Sequence, residues 1–511
     1  MKLTSKATSS IAGASIILTL VGIVAKGIGF VREMIYANNF GLSKEFDLYL
    51  TSAVLPIVIN TSLFFLSQHY FIPIYNKIKN ESEERSQEFF NYNFWWFIFG
   101  GFILAGLLAI GSGIIINFYL ASISPELQEK GQHIFLIFLF TIPINAGMSI
   151  ITSYLQANFN FIYPAFSQVM LNITVIILII FFTNIFAIFV LPLSFVVAYL
   201  VAFVLLYKAV KGKLKFVSAS ILKLKYKLSE VNIITFLIFI EGLSLSYIII
   251  DRYFIGEIPE GGIAALNYAL VIFALPVALF SMPLITTIFP KFSHSFSSSL
   301  ETLRTDLMRS TGINIFIIMP IAFVLYFYGD FFLQLFYQRG KFTSEDTVMT
   351  HATLKYYSLS LIFYSAYLIA VKLLYSINKY KLVLIISIIA FILKILFNIL
   401  LVNDLLQNGL ALSTSLVYIF LFLVGFYLVV REIQIEEKSF HLNKIFYFII
   451  NGFISYSVSY LIVNLIVGTG IMSQVLQILF FISIYILNSY LLTDKEYNII
   501  KNSFFNIFEK V

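Results

Sequence analysis

The sequence predicts an all-α polytopic membrane protein with about fourteen transmembrane helices, arranged as two parallel six-helix lobes followed by a C-terminal helix pair. Three observations carry this prediction. Hydrophobic side chains make up 60% of the 511 residues and charged ones only 12%, which no ordinary water-soluble domain combines. Apolar runs of about 17 to 25 residues, the length that crosses a bilayer, recur from one end of the chain to the other. The chain also looks duplicated, since Arg32 and Arg252 each stand 24 residues before the proline of a Leu-Pro pair, Leu55-Pro56 and Leu275-Pro276. The first copy reads GFVREMIYANNF, Asp47, TSAVLP and FIPIYNK; the second reads IIIDRYFIGEIP, LNYALVIFALP and TIFPKFS. Repeated helical units with basic residues near the start of each are a common way to build a transporter cavity.

Taken in order, the spans fall near 10–31, 46–70, 93–118, 132–156, 160–183 and 185–207 in the first half. In the second half they fall near 232–250, 262–289, 311–328, 355–377, 381–402 and 408–430, with a terminal pair near 442–466 and 472–492. Lys2 and Lys6 before the first run have the polarity of a signal peptide, but the run continues to Arg32 without a convincing cleavage site and reads as a retained span. The expected division is a lobe over 1–207, a basic cytoplasmic linker over 208–230, a second lobe over 231–430, and the helix pair with an amphipathic tail over 431–511. In that tail Phe504, Phe505 and Phe508 share one side, as a surface-lying helix would place them. Leu300, Leu303, Leu307 and Met308 recur at helical spacing between spans eight and nine, which predicts a short interfacial helix.

Orientation follows from Lys and Arg, which cytoplasmic loops retain. One side collects 23 of the 33 basic residues and the other 7, with Lys26, Lys372 and Lys394 left inside spans. Both termini are therefore expected in the cytoplasm, and an even number of helices per half makes the copies parallel. The net charge of +7 does not call for nucleic acid. Seven lysines, Lys208, Lys211, Lys213, Lys215, Lys223, Lys225 and Lys227, form one loop whose bland role is contact with anionic lipid.

Chemistry is excluded more readily than assigned. With no cysteine there is no disulfide, thiol nucleophile or thiolate-bound metal. The five histidines are scattered, and no HExxH, P-loop or paired-carboxylate motif stands out, so no cofactor, metal site or catalytic group is expected. Charges inside the bilayer are the informative residues, because each is costly unless it meets water or a partner. Lys26 and Arg32 lie six residues apart on helix one, about 9 Å along its axis. A planar guanidinium and a compact ammonium together suit a diphosphate. Arg252 and Lys372 join the candidate substrate-binding set. Glu241 in helix seven, Lys394 and Asn398 in helix eleven and Thr414 in helix twelve form a second set, with Glu241 and Lys394 expected as a structural ion pair or an ion-coupling site. Pro143, Pro164, Pro192, Pro276, Pro283 and Pro320 lie in or near span interiors, where they are candidate bending points.

The segments GFVREMIYANNFG with Asp47 and Leu55-Pro56, SQHYFIPIYNK over 67–77, and LFYQRGKFTSEDTVMTHATLKYYSLSL over 335–361 resemble the MurJ (MviN) family of lipid II flippases, within the multidrug, oligosaccharidyl-lipid and polysaccharide exporter superfamily. The resemblance spans most of the chain. It implies two six-helix lobes about a cationic cavity, a terminal helix pair lining a groove for a lipid tail, and alternating access. By position Arg32 matches a cavity arginine, Lys26 falls where another arginine is expected, and Asp47 matches an acid at the start of helix two, which adds Asp47 and Asn60 to the candidate substrate-binding set. Glu241, Lys394, Asn398 and Thr414 fall where some members hold an ion, and a lysine there could replace it, which puts sodium coupling in doubt. The chain departs from the pattern after Leu55-Pro56, where Asn60 or Thr61 stands in place of an arginine pair, and in helix eight, where Leu270, Val271 and Ala274 replace charged residues.

The expectation is a non-enzymatic, monomeric flippase of the bacterial cytoplasmic membrane. It would move a polyprenyl-diphosphate-linked saccharide, lipid II foremost, from the inner to the outer leaflet, driven by the membrane potential or an ion. With a less basic cavity, a Wzx-like flippase for O-antigen or capsule repeat units competes. A drug or cation antiporter would need an acid-rich binding site, and a membrane glycosyltransferase an outer-loop acid cluster or Arg-His set; neither feature is evident.

Overall fold

The computed structural model describes residues 11–215, 228–434, 442–468 and 470–492. Among them there is no β-strand, and eleven helices are long and apolar enough to cross a membrane, or twelve with the bent pair Ser344–Ser358 and Leu361–Ser376, which meet at 44°. That tally takes Ile162–Ala209 as one stretch of 48 residues, more than twice the roughly 20 that one crossing needs. The stretch breaks at Ala187, whose φ of 46° no helix accommodates, so it holds two spans. Every expected span falls on a helix, and fourteen crossings are consistent with the architecture. Lys2, Lys6, Lys223, Lys225, Lys227 and the tail from Asp494 to Val511 lie outside the described residues.

The chain forms two compact units: Met1–Ala264 with Arg339–Phe342, and Ala265–Gln338 with Thr343–Val511. The duplication divides the sequence by likeness and the units divide it by packing, so helix seven of the duplicated pattern belongs with the first unit. In that unit α1 (Ile11–Phe40) leads through α2 (Lys44–Ser52), capped by Ser43 Oγ accepting from the Phe46 N–H, into α3 (Val54–Leu66) and α4 (Ile72–Glu81). Next come α5 (Glu83–Ile110), α6 (Ser112–Leu120), α7 (Pro125–Leu139), α8 (Thr141–Ala157), α9 (Ile162–Phe186), α10 (Val190–Ala209) and α11 (Leu228–Tyr253). The helix pairs α9 with α10, α5 with α8, α1 with α9, and α3 with both α8 and α11 form the packing frame. Gly101 makes the α5–α8 crossing close, since a Cβ there would stand 2.8 Å from Pro143 Cα.

The second unit begins within α12 (Gly262–Pro276), which runs through a π turn into α13 (Met282–Ser298), and continues with α14 (Leu300–Phe336). It goes on through α15 (Ser344–Ser358), α16 (Leu361–Ser376), α17 (Tyr380–Leu405) and α18 (Gln407–Glu432) to the last pair, α19 (Leu442–Val467) and α20 (Ile471–Leu492). The helical spacing around Leu303 and Leu307 is realised as the opening turns of α14, not as a separate interfacial helix, and both leucines are fully buried. The terminal pair is joined by amides rather than charges: Asn451 Nδ2 donates to the Tyr485 carbonyl at 3.1 Å and Ser489 Oγ at 2.9 Å.

The two units share one irregularity. A π turn at Ser67–Phe71 ends two residues before Pro73, and another at Val277–Ser281 ends two residues before Pro283. Proline has no N–H to give, so a carbonyl of the preceding turn loses its partner and the helix widens locally. Among the span prolines, Pro276 and Pro283 thus flank a real irregularity, and Pro73 adds a counterpart in the first unit.

Candidate functional site

In the first unit the site is built around Arg32, six residues into the second half of α1. Its Nη2 donates to Glu33 Oε1 at 2.7 Å and its Nη1 to Asn172 Oδ1 of α9 at 3.0 Å. The guanidinium lies 5.4 Å from the ring centroids of Tyr36 and Phe195, the second carried by α10. Three helices thus hold one cation by a carboxylate, an amide and two aromatic faces. Nε is buried with no hydrogen-bond partner, while about a fifth of the side chain, 22%, stays accessible. Glu33, Asn172 and Phe195 were not singled out in the sequence. Glu33 had a signal, as the neighbour of Arg32, whereas the other two are 140 or more residues away. Lys26 stands exposed on the same helix.

Asp47 does something different. It is 3% exposed, and its Oδ2 accepts from the Gly261 N–H and its Oδ1 from the Ala264 N–H, both at 2.7 Å. Those amides open α12, so the carboxylate caps the positive end of that helix from outside. Gly261 permits the turn, with a φ of +80° and a Cβ position that would fall 2.5 Å from the Leu42 carbonyl oxygen. Asn60 is also buried: its Nδ2 donates to Thr141 Oγ1 at 2.7 Å while its main-chain carbonyl accepts from Asn145 Nδ2 at 2.8 Å, which fastens α3 to α8. Arg252, at 4% exposure, donates from Nη1 to the Ile263 carbonyl at 3.4 Å.

In the second unit Lys394 is fully buried and donates from Nζ to Thr414 Oγ1 at 2.7 Å and to the Leu410 carbonyl at 3.1 Å, joining α17 to α18. Asn398 is buried one turn further along α17. Glu241 belongs to the first unit and Lys394 to the second. Lys372 lies over aromatic faces, 5.6 Å from the centroids of both Phe289 and Tyr375, at the packing of α16 against α13. No group of His, Asp or Glu that could hold a metal ion occurs among the described residues.

The second unit also contains an apolar cavity of about 440 Å³. Ile272 and Pro276 of α12, Pro320 and Phe336 of α14, and Ile478 and Ile482 of α20 line it. Its wall is almost entirely hydrocarbon, and one side is supplied by α20.

A family model described as lipid II flippase MurJ matches residues 36–491. The protein named "Probable lipid II flippase MurJ" of Borreliella burgdorferi is 25% identical over 442 residues, covering 84% of this chain and 86% of its own. "Lipid II flippase MurJ" of Thermosipho africanus is 24% identical over 377 residues, covering 70% and 73%. Among solved structures, "Lipid II flippase MurJ, inward closed conformation" superposes with a TM-score of 0.78 at 23% identity, over 94% of this chain and 99% of that one. A multidrug resistance MATE family transporter of the MOP superfamily, in an inward-facing conformation, gives 0.66 at 12% identity, over 82% and 98%. At those identities the superpositions establish the fold.

Proposed function

Because the chain belongs to the lipid II flippase MurJ family, a family of transporters and not of enzymes, we propose that it carries lipid II across the bacterial cytoplasmic membrane. The observation that carries the site assignment is the Arg32 cluster. A guanidinium held by one carboxylate, one amide and two rings, with part of its surface still accessible, suits the diphosphate that links sugar to polyprenol. Glu33 keeps the charge compensated until the diphosphate displaces it, and Lys26 adds a second cation along α1. The cavity lined by α12, α14 and α20 has the chemistry to take part of the polyprenyl tail, which leaves the head group as the only polar cargo. The family match favours lipid II over an O-antigen or capsule unit, the alternative that the thinner set of cations in helices two and eight had kept open.

Several finer points belong to the same proposal. The protein works as a monomer with both termini in the cytoplasm and two parallel repeats, over 1–207 and 231–430, as the distribution of Lys and Arg supports. Movement of cargo from the inner to the outer leaflet proceeds by alternating access, with the π turns before Pro73 and Pro283 as points of bending. Lys394, buried and donating to Thr414 and to the Leu410 carbonyl, serves in place of a bound cation. Lys372, packed on aromatic rings, assists substrate binding less directly than Arg32, while Arg252 steadies the junction at Ile263.

The test is complementation. A bacterial host depleted of its lipid II flippase receives this chain or its Arg32→Ala form, and survival is followed together with lipid II in the outer leaflet. Rescue that disappears in the variant supports the reading. Absence of rescue with full membrane expression overturns it in favour of another polyprenyl-linked glycan.

A further inference from the structure

Two of the groups that hold Arg32 are aromatic rings, and they hold it differently. Tyr36 stands one turn further along α1, so its ring travels with the arginine. Phe195 comes from α10, and its ring centroid lies 5.4 Å from the guanidinium carbon, inside the roughly 6 Å reach of a cation–π contact. Of the two rings, the second fixes the charge against a different helix.

Phe195 is in turn fixed by its neighbours. Its ring meets Phe138 of α7 at 5.3 Å and Tyr199, one turn along α10, at 6.5 Å, both with tilted planes. Phe138 is buried and meets Tyr49 of α2 at 6.4 Å. Tilted rings at these separations attract one another. A half-buried phenylalanine seated in such a row does not follow a wandering side chain, so the arginine conforms to the ring. The contact also differs chemically from those of Glu33 and Asn172, each of which takes an N–H of the fork, from Nη2 and Nη1. A ring attracts the cation through its π face and occupies no acceptor's place in the guanidinium plane, where a phosphate oxygen would approach. A third polar acceptor there would compete with that oxygen, and an aliphatic side chain would fill the space without attracting the charge.

We infer that Phe195 is a positioning residue for Arg32: its π face fixes the guanidinium from α10, so that an incoming anion meets a cation already oriented. The consequence for transport rests on the proposed function of Arg32; the hold of the ring on the arginine does not. Nothing local in the sequence marks this phenylalanine among the 56 of the chain, and its place beside Arg32 comes from the fold.

The experiment replaces Phe195 in the full-length protein by mono-, di- and trifluorinated phenylalanine, which withdraw π density stepwise with little change of shape, and by leucine (Phe195→Leu). Two quantities are read. One is the rate at which phenylglyoxal modifies Arg32 in lipid nanodiscs, resolved by mass spectrometry with the exposed Arg85 as reference. The other is outer-leaflet lipid II in complemented cells. Modification of Arg32 should quicken with each fluorine, by about fivefold for the trifluorinated ring and for leucine, while Arg85 stays constant. Transport should fall in the same steps and by a similar factor, with the melting temperature of the fluorinated proteins unchanged. A modification rate that stays flat across the series, whatever transport does, overturns the inference, because the ring then only fills space. A rate that rises while transport holds upholds the contact and overturns instead the assignment of Arg32 to the diphosphate, so the two readings fail separately. The fluorinated rings keep the shape of the native side chain, so a leucine variant that fails to fold does not remove the test.

Discussion

Arg32 and Arg252 occupy matching places in the duplicated sequence, each 24 residues before a Leu-Pro pair, yet their surroundings differ in kind. Arg32 is held by side chains from three helices and keeps about a fifth of its side-chain surface accessible, at 22%. Arg252 is nearly inaccessible and reaches back to the main chain at Ile263, beside the turn that Asp47 caps. Duplication places two cations alike, and their neighbours then differ: one stays partly accessible among side chains of three helices, while the other reaches the main chain at a helix junction. Identity and spacing alone do not assign a role.

The comparison is broken most directly at Arg32. Arg32→Ala should lower transport about a hundredfold, equivalent to roughly 3 kcal/mol of lost anion contact, with little change in melting temperature. Arg32→Lys keeps the charge and loses the planar fork, so it should fall only about tenfold. Outer-leaflet lipid II in complemented cells, normalised to membrane protein, reads both. If Arg32→Ala lost stability and transport in parallel, the two arginines would be equivalent after all.

Arg252→Ala should show the reverse pattern. It leaves buried acceptors unpaired at a cost of about 2 kcal/mol, seen as a lower melting temperature and less protein in the membrane. Transport per molecule should change little. Asp47→Asn acts on the same junction more gently, since the amide retains one acceptor but gives up the charge at the helix terminus; a loss of about 1 kcal/mol is expected in thermal unfolding.

The fold was legible because a bilayer imposes one rule on every span, and runs of apolar residues report it directly. Arg32, Asp47 and Lys394 could be singled out for a related reason: a charge in or beside a span is conspicuous. What they touch was not legible. Asn172 and Phe195 reach Arg32 from α9 and α10, and no local pattern marks one amide or one phenylalanine in an apolar helix as a neighbour of α1. The capping role of Asp47 depends on a turn more than 200 residues away, at Gly261. Leu303 and Leu307 had the right helical period but the wrong extent, because the periodicity of a short stretch cannot say that α14 continues from it through the following span.

The smallest expected effect sharpens the comparison furthest, because it separates holding Arg32 from being Arg32. Asn172 is half-buried and donates from its own Nδ2 only to the Gln168 carbonyl within α9, so Asn172→Ala should leave stability nearly unchanged. Removing one neutral acceptor from the guanidinium frees it to wander, and a loss of about 1 kcal/mol in positioning corresponds to roughly a fivefold fall in transport. Asn172→Asp places a second carboxylate where the amide was. If Asn172 merely fills space, the two variants should behave alike. If it orients a cation that must release one partner to accept another, the aspartate should cost more transport than the alanine, since two carboxylates then compete with the incoming diphosphate. A transport assay across salt concentrations distinguishes these outcomes, because screening should narrow the gap between the two variants only when charge competition causes it.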